Sequence, residues 1–121
     1  MFRKFAWLSI AVVVTFSVSD IVGCPPYPVG WTISNPVKDT LYTGSIAGAG
    51  EATSAENYIV KVVNRSVRST VYTEHNGTSN CGSWQKDVPE PSGGWPPNME
   101  AAFELWVSGV VRSEVDIKLN G

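Results

Sequence analysis

The segment Tyr58-Ile59-Val60-Lys61-Val62-Val63 consists almost entirely of β-branched and aromatic residues, the types that pack best on a pleated sheet. Near the end of the chain, the segment from Glu114 to Leu119 alternates charged and apolar residues. An alternation of period two places the apolar side chains on one face of a strand and the charged ones on the other. Both segments therefore predict strands, and the second predicts a strand with one buried face.

Other short strand-like segments recur from Trp31 onward, with turn signals about every ten residues. We predict further strands over residues 31–33, 41–47, 70–74 and 83–88. Gly48-Ala49-Gly50 is expected to end or bulge one of them, and Asn76-Gly77 to end another. Residues 64–69 are expected to form a polar turn, and residues 89–97, which hold four prolines, a loop.

The segment from Met99 to Val107 fits two patterns. Met99, Phe103 and Trp106 form a helical stripe that Asn98 would cap. Phe103, Leu105 and Val107 also share one face of a strand. We favour the strand, because Gly109 and a second strand follow closely.

About seven short strands predict an all-β fold, a small antiparallel two-sheet sandwich over residues 31–121. In strand number and spacing, the domain resembles the immunoglobulin-like and fibronectin-like sandwiches of bacterial envelope proteins. The Cys…Trp…Cys pattern of antibody domains is absent from the sequence, because Cys24 precedes the first predicted strand.

The first residues have the composition of an export signal. Arg3 and Lys4 precede an uncharged run of 15 residues, from Phe5 to Ser19. As a helix this run would span about 22 Å, short of the roughly 30 Å hydrocarbon core of a bilayer. We therefore predict residues 1–23 as a signal peptide that is removed, with a retained anchor as the alternative.

The segment Ile21-Val22-Gly23-Cys24 follows the apolar run and resembles a bacterial lipobox. In the lipoprotein family this cysteine receives a diacylglycerol and becomes the mature N-terminus. The resemblance implies lipidation of Cys24, the membrane as a partner through that anchor, and a place in the cell envelope. Ser17-Val18-Ser19 supports a second interpretation, cleavage before Asp20. The protein would then be secreted or periplasmic, and Cys24 and Cys81 could form a disulfide.

Residues 24–30 hold three prolines, which fix φ and favour an extended backbone. This segment predicts a stiff linker between the signal and the domain, with an irregular edge strand as the alternative.

The charge balance excludes several classes of function. The chain has 9 Lys+Arg against 11 Asp+Glu, a net charge of −2, and we expect no nucleic-acid partner because binding phosphates needs a basic excess. One histidine and two cysteines are too few for a common zinc site. We expect no metal and no cofactor.

His75 and Cys81 are the one pair of residues that suggests catalysis or metal binding. A Cys–His nucleophile usually needs a third orienting group, and the sequence offers no motif that supplies one. We interpret this segment as a turn, predict no catalytic residues and expect that the chain is not an enzyme. Asn64-Arg65-Ser66 and Asn76-Gly77-Thr78 fit the glycosylation pattern, but are also interpreted as turns.

Trp84 and Trp95 flank the Pro/Gly-rich segment and are the candidate ligand-binding residues. Tryptophans on loops can stack on sugars or anchor a protein partner. The sequence as a whole predicts a non-catalytic, exported module with a structural or protein-interaction role, for which an open edge strand could serve as the docking surface. The alternatives are a carbohydrate-binding module that uses Trp84 and Trp95, or a small protease inhibitor.

Overall fold

A computed structural model describes residues 30–121. Within this range the chain forms seven strands and no helix, which confirms the all-β prediction; the strands are β1 (Leu41–Tyr42), β2 (Ile46–Ala52), β3 (Asn57–Asn64), β4 (Val71–Thr78), β5 (Gly82–Val88), β6 (Met99–Val107) and β7 (Val110–Leu119). The described range accordingly holds no helix that could cross a membrane. The predicted signal peptide, and the linker apart from Gly30, lie outside the described residues.

The strands form a five-stranded sheet in the order β1-β7-β6-β3-β4 and a two-stranded sheet of β2 and β5. Neighbouring strands are antiparallel, except that β1 runs parallel to β7. The predicted two-sheet sandwich is therefore confirmed, with one parallel pair that the sequence did not indicate.

Aromatic rings from both sheets fill the core. Trp84 of β5 stacks on Phe103 of β6, with 6.4 Å between ring centroids, and Tyr58 of β3 lies 5.5 Å from the Trp84 ring. All three side chains are buried. The Tyr58 hydroxyl donates a hydrogen bond to the carbonyl of Gln85 at 2.9 Å, so β3 and β5 are linked across the sandwich by one polar contact within an apolar core.

The start of the domain differs from the prediction. Residues 31–33 are not a strand of either sheet; they run beside β2, where the Thr32 amide donates to the carbonyl of Glu51 at 3.1 Å. The predicted strand over residues 41–47 is also wrong. It divides into β1 and the start of β2, which belong to different sheets, because residues 43–45 carry the chain from one sheet to the other.

Gly48-Ala49-Gly50 was expected to end or bulge a strand, but Gly48 and Gly50 lie inside β2, which pairs with β5 in unbroken register. Trp84 of the paired strand explains their position. A Cβ atom on Gly50 would lie 1.8 Å from the carbonyl oxygen of Thr32 and 2.6 Å from Nε1 of Trp84. Glycine is required here because another backbone and a large ring approach closely.

Asn76-Gly77 likewise lies within β4 and does not end the strand. Gly77 pairs with Tyr58 on β3, and a Cβ atom there would lie 2.4 Å from the tyrosine hydroxyl oxygen. The dipeptide has the composition of a turn, but the glycine serves to accommodate a neighbouring ring. The prediction that β4 ends at residue 74 is therefore wrong.

The remaining predictions agree with the structure. Residues 99–107 form a strand, and Asn98 has a φ of 47° and caps no helix. The residues between β3 and β4 form a turn in which Oδ1 of Asn64 accepts hydrogen bonds from the amides of Ser66 and Val67. Residues 89–97 are a loop.

Candidate binding groove on the larger sheet

The outer face of the five-stranded sheet carries the side chains that alternate with its core residues. On β3, Tyr58, Val60 and Val62 point into the sandwich and are buried. Ile59 and Lys61 therefore lie on the outer face, where they pair in register with Trp106 and Glu104 of β6. The regular pleat of two central strands thus places an ammonium group, an indole and a carboxylate next to one another.

A groove of about 700 Å³ crosses this outer face near the turn between β6 and β7. The neighbouring backbone lacks side chains at Gly77 and Gly109, which line the groove as well. Seven side chains give it its chemical character: Asn57, Ile59, Lys61, Asn76, Thr78, Trp106 and Ser108. We call this site the Trp106 groove.

Lys61 and Trp106 form the central contact of the groove. The Lys61 Nζ lies 4.1 Å from the centroid of the indole, within the range of a cation–π interaction. The indole Nε1 donates a hydrogen bond to Oε1 of Glu104 at 3.0 Å. Lys61 also pairs in register with Glu74 of β4, but among the described residues no carboxylate lies within ion-pair distance of its ammonium group.

Arg68 explains why Glu104 does not pair with Lys61. The turn between β3 and β4 carries Arg68 over the sheet, where its Nη1 lies 2.9 Å from Oε2 of Glu104 and 2.8 Å from Oε2 of Glu114. Burial lowers the pKa of the guanidinium, but the hydrogen bonds to the two carboxylates outweigh it and leave the pKa raised. The Glu104 side chain is only 6% exposed, and its charge is already satisfied by Arg68 and Trp106.

The edge of the groove supplies amide groups. Asn57 and Thr78 pair across β3 and β4, and the threonine hydroxyl donates to Oδ1 of Asn57 at 3.0 Å. That contact leaves the amide nitrogen of Asn57 available. Asn76 is exposed and its side chain makes no hydrogen bond with the described residues. The groove therefore offers both hydrogen-bond donors and acceptors around an apolar ring.

Trp84 and Trp95 were the predicted ligand-binding residues. The structure places both in the core. They are 2% and 3% exposed. Their Nε1 atoms donate hydrogen bonds to the carbonyls of Thr32 and Gly44, both at 2.7 Å. Stacking on a sugar requires an open ring face, and neither ring offers one.

Trp106 was not among the predicted ligand-binding residues. The signal for it was present in the sequence, since a strand with Phe103, Leu105 and Val107 in the core must direct Trp106 to the opposite face. The structure leaves this indole half-buried and places it in the groove.

His75 and Cys81 do not form a nucleophile–base pair. The His75 Nε2 shares a hydrogen bond with the Thr73 hydroxyl at 3.1 Å, and Cys81 is disulfide-bonded, so it carries no thiol. Residues 30–121 contain no group of three or more metal-ligating side chains. The two predictions about Cys24, lipidation and pairing with Cys81, lie outside the described residues.

A scan against protein-family models, a search of curated proteins and a search of solved structures found no match to the chain.

Proposed function

We propose that the chain is an exported, non-catalytic β-sandwich module that binds its ligand by noncovalent contacts in the Trp106 groove. The observation that supports this proposal is the composition of the groove, in which an ammonium group and free amides surround a half-buried indole. Ligand sites in proteins typically combine an apolar surface with a few polar groups that fix orientation.

The supporting strands make the groove a rigid site. Its central residues lie on β3 and β6, which pair over six residues from Ile59 to Asn64, and Arg68 holds the neighbouring carboxylates in place. Sites on regular elements keep their geometry better than sites on loops. The groove therefore needs little ordering when a ligand binds, which lowers the entropic cost of association.

Export brings the module to the ligands outside the cell membrane. The proposal retains both fates of Cys24, a lipid anchor in the envelope or cleavage before Asp20 followed by secretion. The sequence contains two cysteines, and Cys81 is disulfide-bonded. Disulfides persist in oxidising compartments, so this bond supports export. If its partner is Cys24, the other cysteine of the sequence, then Cys24 carries no lipid and the protein is secreted.

An NMR titration tests the proposed function. The ¹⁵N-labelled domain is mixed with protein and polysaccharide fractions extracted from the surface of its source cells. We expect at least one fraction to shift the backbone amides of Lys61, Asn76, Gly77 and Trp106 together, because these residues surround the groove.

A Trp106→Ala variant should abolish those shifts, because it removes the apolar surface of the groove. The matched control is Val110→Ala, which shortens an exposed side chain on β7 outside the groove, and which should respond like the unchanged protein. Shifts confined to the two-stranded sheet, or a response that survives Trp106→Ala, would contradict the proposed function.

A further inference from the structure

We infer that the Trp106 groove binds an acidic saccharide, a sugar whose ring carries a carboxylate. The inference rests on the proposed function and adds the chemical class of the ligand.

The charge of the groove favours an anion. Lys61 is the one charged side chain among the described residues that line it. On the same face, Lys61 pairs in register with Glu104 of β6 and with Glu74 of β4. Arg68 and Trp106 already engage Glu104, and neither glutamate lines the groove. A cation without an ion-pair partner in a partly enclosed site attracts a negative group, even though the whole chain has a net charge of −2.

The apolar part of the groove favours a ring. Trp106 and Ile59 are adjacent across the β3–β6 pair and form an apolar surface, and a pyranose ring presents apolar C–H groups that pack on such surfaces. Because Lys61 Nζ lies 4.1 Å from the centre of the indole, a carboxylate bound to Lys61 would be held within reach of the same apolar surface. One sugar residue that carries a carboxylate satisfies both requirements.

The amides distinguish a sugar from a simple anion. Asn57 and Asn76 each carry a donor and an acceptor, and Ser108 adds a hydroxyl at the turn. Sugar hydroxyls use both kinds of partner, whereas a phosphate or a small carboxylate only accepts hydrogen bonds and could not donate one to the amide oxygen of Asn76. The mixture of donors and acceptors therefore favours a polyhydroxylated ligand.

Calorimetric titration at low salt tests the inference with three acidic probes: a galacturonate trisaccharide, a hyaluronan tetrasaccharide and sialyllactose. We expect at least one of them to bind. The Lys61→Met variant should weaken that binding about tenfold, the effect of losing one charge-assisted hydrogen bond. Lys61→Arg keeps the charge and should bind more tightly than Lys61→Met.

Two controls test whether binding depends on the charge of Lys61 and on the carboxylate of the sugar. Lys86→Met makes the same change of charge on β5 of the smaller sheet and should leave binding unchanged. For a galacturonate ligand, the neutral methyl ester of the trisaccharide should bind as weakly as the acid binds to Lys61→Met. For the other probes, the uncharged lactose or the reduced hyaluronan tetrasaccharide serves the same purpose.

The inference is overturned if none of the three acidic saccharides binds, if a tetraglutamate peptide binds as tightly as the best of them, or if Lys61→Met and Lys86→Met weaken binding equally. Shifts in the groove with another surface fraction would then leave the proposed function standing without the acidic sugar. Absence of any response in the groove would reject both.

Discussion

Gly50 shows how a single residue determines what the core can hold. Its missing side chain makes room for the carbonyl of Thr32 and for the Trp84 indole, which donates its hydrogen bond to that same carbonyl. A methyl group at this position would force the backbone of residue 32 and the largest core ring apart. Gly44, which lies between β1 and β2, has no atom within 4 Å of the position of an added Cβ.

We predict that Gly50→Ala lowers the free energy of unfolding by about 3 kcal/mol or more, because overpacking in a dense core displaces backbone and side chains. Gly44→Ala is the matched control and should change stability by less than about 0.5 kcal/mol. Urea unfolding followed by tryptophan fluorescence measures both. Equal stabilities of the two variants would contradict the close packing around Gly50.

Residue types predicted most strands well, but they predicted the role of the glycines inside β2 and β4 poorly. The β-branched run of β3 and the alternation of β7 were sufficient to identify those strands, since both patterns reflect one face against a core. The glycines of β2 were expected to end or bulge a strand, and Gly77 of β4 to form a turn, because glycine is typical of such positions. Their actual role depends on Trp84 and Tyr58, which are distant in sequence, and no local pattern reports such a contact.

At the scale of the strands, Tyr58 joins the two sheets. Its ring packs on Trp84 and its hydroxyl donates to Gln85 of β5. Burial raises the pKa of this hydroxyl above its ordinary value. The folded protein therefore favours the neutral form, and its stability falls as the pH rises from about 10, where an unfolded tyrosine ionises.

We predict that Tyr58→Phe is less stable than the unchanged protein at pH 7 by about 1 kcal/mol, the net worth of one hydrogen bond. The variant should also lose less stability between about pH 9.5 and 11, because it has no hydroxyl to ionise at this position. Urea unfolding at a series of pH values measures both effects.

Tyr42→Phe is the control for this experiment. Tyr42 is half-buried on β1 and its hydroxyl makes no hydrogen bond to the described residues. This variant should keep the alkaline slope of the unchanged protein. A Tyr58→Phe slope equal to that of Tyr42→Phe would show that the buried hydroxyl does not contribute to the pH dependence.

The candidate site could be predicted only in part, and the reason lies in how strands combine. The sequence correctly assigned residues 99–107 to a strand, and this strand directs Trp106 outward. The other side chains of the groove come from β3, β4 and the turn after β6. Their proximity depends on the register of three strands, which residues far apart in the sequence determine. Trp84 and Trp95 were predicted to bind a ligand because they flank a segment of prolines and glycines. Tertiary packing buries both of them.

At the scale of the whole molecule, the two fates proposed for Cys24 give mature proteins of different mass. We predict that the mature protein is an unmodified chain beginning at Asp20, lighter than its reduced form by the two hydrogens lost on forming a disulfide. Intact mass spectrometry of protein purified from its source cells, before and after reduction, measures this. A chain that begins at Cys24 and carries a diacylglycerol would contradict the prediction and establish a membrane anchor.

The parallel pairing of β1 with β7 also determines how the domain withstands a pulling force. The amide of Asp39 bonds to the carbonyl of Asp116, the amide of Lys118 to the carbonyl of Thr40, and the amide of Asn120 to the carbonyl of Tyr42. When the chain is pulled at opposite ends of the domain, β1 and β7 slide along each other and all three bonds are loaded at once. They must break together, whereas an antiparallel hairpin pulled from its open end separates one bond at a time. A module attached at one end and held by a ligand at the other would resist extension through this short pair of strands.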